Sequence, residues 1–514
     1  MNPSVAEFSV STRPRVAIMG VPFDHLTLEA ATRSIERMIA SGRCHYLVTA
    51  NVDFLVQARG DAELRRILLD ADLVLCDGTP LVWASRLLGN PLPERVAGSD
   101  LVPHLLNVAS QKKYSVFLLG AKPDSASRAV DRLRTEYPEL LIAGHYSPPF
   151  NPLLEMDHTE IRNRICAAAP DLLLVSFGCP KQEKWMAMHY RSLGVPVTIG
   201  VGATIDFLGG QHRRAPMWMR KSGTEWLYRL AREPRRLFAR YTNDFWVFGR
   251  GFLAQYWHLQ VRSRTRVLLS AVPARASQPV TAAPPAPEAQ KASDHCLIRL
   301  PARMDLAALQ AGKVPSETLV NGSRYCFFQA ENVRHIDSTG LGELMRWDRK
   351  LRSQGGNLVL IAPSTALRRA LSLMRLNELF VVAPDLATAE KVIRKAEGDS
   401  AGLVEVEATG EKSRIRWSGE VTAANADAIW EQTAACFNRL KSANELSIDL
   451  QSVRFVDSSG LGVMIRSKKL ARECQKSLSF CNLQPLVQNV IRLARLESFL
   501  LEAPAPRRLL PRLR

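Results

Sequence analysis

Short apolar runs alternate with stretches in which apolar residues return every three or four positions over the first two hundred residues. The runs read as strands at Arg15–Gly20, Tyr46–Val48, Asp72–Cys76, Tyr114–Gly120, Leu140–Gly144, Asp171–Gly178 and Pro196–Val201. The periodic stretches read as helices over 25–39, 53–69, 81–88, 101–109, 123–137, 159–169 and 180–190, the first opened by Thr27 as a side-chain cap. Strands buried on both faces and separated by helices predict a doubly wound, Rossmann-like parallel sheet. In such sheets ligands sit beyond the carboxyl ends of the strands. Two polar clusters fall there: Thr49 and Asn51 after one strand, Asp77 and Gly78 after the next.

Past Gly210 the pattern changes. Residues 216–260 read as helical, with Trp218, Trp226, Tyr228, Phe238, Tyr241, Phe245, Trp246, Phe248, Tyr256 and Trp257 set among arginines. From Arg213 to Arg266 there are 13 Arg or Lys against 3 Asp or Glu, and the whole chain carries a net charge of +18. That balance favours anionic partners. An anionic membrane surface suits basic helices with aromatics; a solvated face above a core-facing aromatic stripe is the plainer reading. Nucleic acid is the weaker option, because no helix-turn-helix or RNA-binding signature accompanies the charge. There is neither an apolar signal core at the start nor an uncharged run long enough to span a bilayer. Nine cysteines without a C-x-x-C pair argue for a reducing compartment and against a zinc site.

The 514-residue length is too great for one ordinary core. Residues 266–293 read as an Ala/Pro-rich linker, with 13 Ala or Pro in the 23 positions from 271 to 293. An internal repeat follows. H-I-D-S-T-G-L-G-E-L-M-R at 335–346 returns as F-V-D-S-S-G-L-G-V-M-I-R at 455–466. Each copy has a strand before the motif (Tyr325–Phe328, Leu446–Leu450), then a helix and a second strand (Asn357–Ile361, Ser477–Phe480). A further helix closes each copy (Leu367–Met374, Leu486–Leu493). Two copies of this size predict two similar small α/β domains, at 294–396 and 403–504.

Eight segments of the first 260 residues match, in order, the WecG/TagA/CpsF glycosyltransferases, family 26. They are T-A-N-V-D-F (49–54), D-G-T-P-L-V-W (77–83), R-V-A-G-S-D (95–100), F-L-L-G (117–120), F-G-C-P-K-Q-E-K-W (177–185), G-V-G-A-T-I-D-F-L-G-G (200–210), R-A-P-M-W (214–218) and E-W-L-Y-R-L-A-R-E-P-R-R-L (225–237). The chain resembles that family over 15–265, with a basic helical appendage at 211–265 that in relatives closes over the site and touches the membrane. The resemblance implies inverting transfer, without metal or cofactor, from a UDP-sugar to a polyprenyl-diphosphate-linked sugar in exopolysaccharide or cell-envelope glycan synthesis. It places the general base at Asp77, which on sequence alone reads first as a strand-end cap of the next helix. Thr49, Asn51 and Gln182 are uncharged groups suited to sugar hydroxyls and a uracil. Arg95 supplies fixed charge for the diphosphate, Arg214 a second contact, and Asp206 a donor contact. Gly178 precedes a helix whose N-terminus offers N–H groups to phosphate. G-V-G-A-T-I-D lacks the third glycine of a dinucleotide fingerprint, which argues against a dehydrogenase. Asp77-Gly78-Thr79-Pro80 departs from the Asp-Gly-x-Gly of many relatives, leaving the donor sugar open.

The two repeats resemble STAS domains of the anti-sigma factor antagonist type. That resemblance puts the phosphoacceptor hydroxyl at Thr339 and Ser459, and an anti-sigma-like kinase among the partners. The plainer reading is that Ser338, Thr339, Ser458 and Ser459 cap the helices that follow. The expectation is therefore a cytoplasmic glycosyltransferase, peripheral at the inner face of the plasma membrane, with residues 1–14 disordered and a tandem STAS tail. The alternative is a non-catalytic scaffold whose STAS pair does the binding.

Overall fold

A computed structural model describes residues 14–501 except 211–214, 217, 220–223, 262–288, 293–294, 316–324, 355, 378–379, 392, 394–403, 410–411 and 441–444. Arg213, Arg214, Arg220 and Lys221, most of the expected linker and residues 1–13 therefore lie outside the described residues.

The chain opens on a hairpin of β1 (Val16–Ile18) and β2 (Val21–Phe23), which pair with each other and stand apart from the main sheet. Helix α1 (Leu28–Ala40) starts where expected, with Thr27 accepting a hydrogen bond from the Ala30 N–H. Then come β3 (His45–Ala50), α2 (Val52–Ala58), α3 (Ala62–Asp70), β4 (Leu73–Cys76), α4 (Thr79–Leu87) and α5 (Gly98–Lys112). The single helix expected over 53–69 is thus two. Next are β5 (Ser115–Gly120), α6 (Pro123–Glu136), β6 (Leu141–Tyr146), α7 (His158–Ala168), β7 (Leu172–Ser176), α8 (Lys181–His189), β8 (Val197–Gly200) and α9 (Thr204–Leu208). The six-stranded sheet runs β4-β3-β8-β7-β5-β6, with every pairing parallel. Apolar layers cover both faces, which is what runs such as Leu73–Cys76 and Leu172–Ser176 require. Pro80 lies in the first turn of α4, where its missing N–H costs nothing. The appendage is α10 (Glu225–Arg232) and α11 (Pro234–Tyr256).

The first repeat forms a five-stranded sheet. Its strands are β9 (Ala289–Ala292), β10 (His295–Arg299), β12 (Tyr325–Gln329), β14 (Asn357–Ile361) and β15 (Val381–Ala383), ordered β15-β14-β12-β10-β9. Strand β9 takes up the end of the segment expected to be linker, as an antiparallel edge on β10. Two short strands, β11 (Arg303–Met304) and β13 (His335–Ile336), pair with each other. Helices α12 (Leu306–Gln310), α13 (Ser338–Ser353) and α14 (Thr365–Leu373) complete the module. It belongs to the same compact unit as the transferase-like domain, and its core takes in Ala17 and Leu69 from that domain and Leu259 from beyond α11.

The second repeat makes up most of a separate compact unit, which spans Glu390–Arg514 and includes Asp61–Glu63. Its sheet runs β16 (Val404–Thr409), β17 (Lys412–Val421), β18 (Glu445–Val456), β19 (Ser477–Cys481). Its helices are α15 (Ala426–Arg439), α16 (Ser458–Glu473), α17 (Pro485–Leu493) and α18 (Glu497–Leu501).

In both repeats the cap of the motif helix differs from the expectation. The aspartate performs it: Asp337 Oδ1 accepts from the N–H groups of Thr339 and Gly340, and Asp457 Oδ1 accepts from Gly460. A carboxylate serves best at the positive end of a helix, so the hydroxyls beside it are not spent on capping.

Candidate active site

The strand order sets β4, β3, β8 and β7 side by side, so the segments leaving their carboxyl ends form one continuous rim. Thr49 ends β3 almost buried, its hydroxyl donating to the Gly200 carbonyl of β8 at 3.2 Å. Asn51 caps α2 by accepting from the Phe54 N–H. Asp77 leaves β4 with its backbone N–H donating to the Ala50 carbonyl, and Gly78 follows as the N-terminal cap position of α4. The Val96 N–H donates to the Cys76 carbonyl at 2.8 Å, which pins the Arg95 segment beside Asp77.

Around Asp77 the charges form a chain. Arg95 pairs with Asp100 at 2.6 Å and with Glu225 at 3.0 Å, and Arg229 pairs with the other Glu225 oxygen at 2.6 Å. Burial pushes the Asp77 carboxyl up to about 6 against the pull of Arg95 and Arg229. Burial also works against the charges of Arg95 and Arg229, yet the carboxylates around them outweigh it and hold both guanidinium groups more firmly protonated than usual. A carboxylate ionised just above pH 6 is a competent general base at neutral pH. Two arginines within its field can meet a polyanion.

The other expected residues fall into different settings. Gln182 is 2 % exposed and works inside the rim: its Oε1 accepts from Gly178 N–H at 3.3 Å and Gly202 N–H at 3.2 Å, and its Nε2 donates to Glu183. It joins the turns after β7 and β8. Gly178, with φ of 79°, lets that turn reach α8. Asp206 lies in the first turn of α9, with Oδ1 buried and without a hydrogen-bond partner among the described residues. Arg214 lies outside the described residues. Thr339 is fully buried, whereas Ser459 is partly exposed.

Sequence reasoning did not pick out Glu225 or Asp100, the partners of Arg95. The i,i+4 pair Glu225/Arg229 was the available signal, but nothing local tied it to a residue 130 positions earlier.

The sequence profile of the glycosyl transferase WecG/TagA/CpsF family matches residues 16–262, and STAS profiles match residues 286–389 and 404–502. An N-acetylglucosaminyldiphosphoundecaprenol N-acetyl-beta-D-mannosaminyltransferase of Bacillus subtilis is 37% identical over 188 residues, 37% of this chain and 72% of the relative. The enzyme of the same name in Staphylococcus aureus strain MW2 is 30% identical over 229 residues, 44% of this chain and 88% of the relative.

Proposed function

As the chain is a WecG/TagA/CpsF-family glycosyltransferase carrying two STAS domains, we propose that it moves a sugar from a UDP-sugar onto a polyprenyl-diphosphate-linked sugar, with inversion, in envelope or exopolysaccharide glycan assembly. The observation that carries the reading is Asp77: a rim carboxyl raised to about 6 by burial, beside the paired arginines Arg95 and Arg229. In the proposed step an acceptor hydroxyl attacks the anomeric carbon from the face opposite the nucleotide. Asp77 takes the hydroxyl proton as the new C–O bond forms. The bond to the diphosphate breaks, and UDP leaves with its charge met by Arg95 and Arg229. Thr49 and Asn51 line the rim where the donor sugar would rest. Gln182 holds the rim together.

The appendage supports peripheral attachment to an anionic bilayer. No helix among the described residues is long and apolar enough to cross a membrane. Yet Phe238, Phe245, Trp246, Leu253 and Trp257 are exposed at helical spacing along one side, while Leu237, Asp244 and Gln255 are buried on the other. The STAS tail is proposed as a regulatory or docking module, and Ser459 is its accessible hydroxyl.

The test is UDP release by the full chain on anionic vesicles bearing a lipid-linked acceptor, across a panel of UDP-sugars. Turnover with at least one donor and its loss in Asp77→Asn are expected. Wild-type turnover in Asp77→Asn would remove Asp77 from the role, and no release with any donor would favour the scaffold alternative.

A further inference from the structure

The first STAS motif meets the transferase domain at close quarters. Asp337 caps α13 alone, which leaves the Ser338 and Thr339 hydroxyls for other partners, and both receive side-chain amides of the transferase domain. Asn90 Nδ2 donates to Thr339 Oγ1 at 3.3 Å, and Gln255 Nε2 donates to Ser338 Oγ at 3.2 Å, with all four residues at most 3 % exposed. Further along α13, a Cβ added at Gly342 would lie 2.6 Å from the Arg15 carbonyl oxygen. At its end Arg349 pairs with Asp72 at 2.6 Å and Arg352 with Asp70 at 2.8 Å. After α14, the Arg375 carbonyl accepts from Arg65 at 2.7 Å. Buried amide–hydroxyl pairs, ion pairs and a backbone approach that only glycine allows, spread along one helix, describe a built interface.

We propose that the motif face of the first STAS domain is a docking surface whose partner is this chain's own transferase domain, and that the docked pair braces the segment carrying Asp77. The attachment points flank that segment. Asp70 and Asp72 precede β4, Asn90 follows α4, and Asp77 stands between β4 and α4. The four residues of β4 and the nine of α4 put the contacts roughly 15 Å from the carboxylate. The rim therefore stays open while both supports of Asp77 are held. Gln255 extends the brace to α11: besides Ser338 it bonds Ala17 and Met19 of the hairpin. Helix α11 continues from α10, which brings Glu225 and Arg229 to Arg95. The base and its cations are steadied by one docked module. In this state Thr339 offers no hydroxyl to solvent, so a charge there and docking exclude each other.

The bracing part of this inference rests on the transferase reading; the docking part does not. Two readouts on the full chain separate them. Amide exchange across Val16–Phe23 and Leu73–Cys76 reports docking, and turnover reports bracing. Arg352→Glu should raise exchange there about tenfold or more while β12 and β14 stay protected, and should lower kcat several-fold. Adding Asp70→Arg should return both toward wild type, which loss of an isolated surface charge would not do. Gly342→Val, which forces the helix off the Arg15 carbonyl, should reproduce the loss. Unchanged exchange in both variants would overturn the docking surface. Raised exchange with unchanged turnover would overturn the brace. Loss of protection throughout β12 and β14 in both variants would show that no separable surface exists. A chain inert with every donor would sink the transferase reading while the exchange result still decides the docking.

Discussion

The two STAS copies carry nearly the same motif and live in different surroundings. Their local geometry agrees. Each motif helix is capped by its aspartate, whose second oxygen reaches back across the module to the N–H of Leu306 in one copy and Ala423 in the other. In each, the first glycine of the motif lies against a backbone carbonyl of its own domain: an added Cβ would fall 2.1 Å from Met304 O at Gly340 and 2.4 Å from Val421 O at Gly460. They part at the second glycine. A Cβ at Gly342 meets Arg15, whereas at Gly462 nothing lies within 4 Å. The next hydroxyl follows suit, with Thr339 sealed and Ser459 partly open. The motif thus specifies how the helix begins, and tertiary context decides how much of its face is covered: in the second copy the Ser458 N–H donates to Glu63 of the same unit, while Gly462 faces open space.

That comparison can be broken at three places. The largest effect is expected where the copies agree: Gly340→Val and Gly460→Val should each destabilise their own module by about 3 kcal/mol, since a backbone carbonyl cannot step aside. Chemical denaturation followed by amide exchange in β12 and β18 checks it, and a loss in only one copy would contradict the shared geometry. Next comes the hydroxyl. Thr339→Glu buries a carboxylate and should cost about 2 kcal/mol or more. Ser459→Glu, part-exposed at a helix N-terminus but beside the carboxylates of Asp457 and Glu63, should cost less, about 1 kcal/mol. The smallest effect should change sign between copies. Gly342→Ala costs about 1 kcal/mol or more by crowding, while Gly462→Ala gains up to about 1 kcal/mol of helix propensity. Equal outcomes in that last pair would mean the first module is not held as described.

Much of this was legible in the sequence. The six main strands were: five because parallel strands buried on both faces leave uninterrupted apolar runs such as Val116–Leu119, and the half-exposed edge strand β6 from the short apolar run at its start. The place of Asp77 at the end of β4 was, because the apolar run stops there; its role as base is what the family resemblance implies. The R-V-A-I-M-G segment reads as a strand and is one, but nothing in it reveals that it turns back at Met19–Gly20 to pair with Val21–Phe23. Strand β9 hides in Ala/Pro-rich sequence because an edge strand needs backbone partners more than apolar side chains. The Glu225 partner of Arg95 was out of reach because that pair closes a long loop, whereas Asp100 lies five residues away in the same segment; the docking of α13 was out of reach too, since its contacts at Arg15, Asn90 and Gln255 lie far away in sequence.

The account turns on one carboxylate, and its titration is the most direct test. A base raised to about 6 is protonated and inactive below that value and ionised above it. Because its folded value lies above the ordinary 3.8, stability should fall as pH rises through the window between the two, so removing the charge should stabilise the protein at pH 7. The measurement is kcat/KM against pH for wild type and Asp77→Asn, with thermal midpoints at pH 7. The account predicts a wild-type rate that climbs to a plateau through about pH 6, a variant whose residual rate is flat and lower by about a hundredfold or more, and a higher midpoint for the variant. A variant that keeps the wild-type rate and its pH dependence would contradict it.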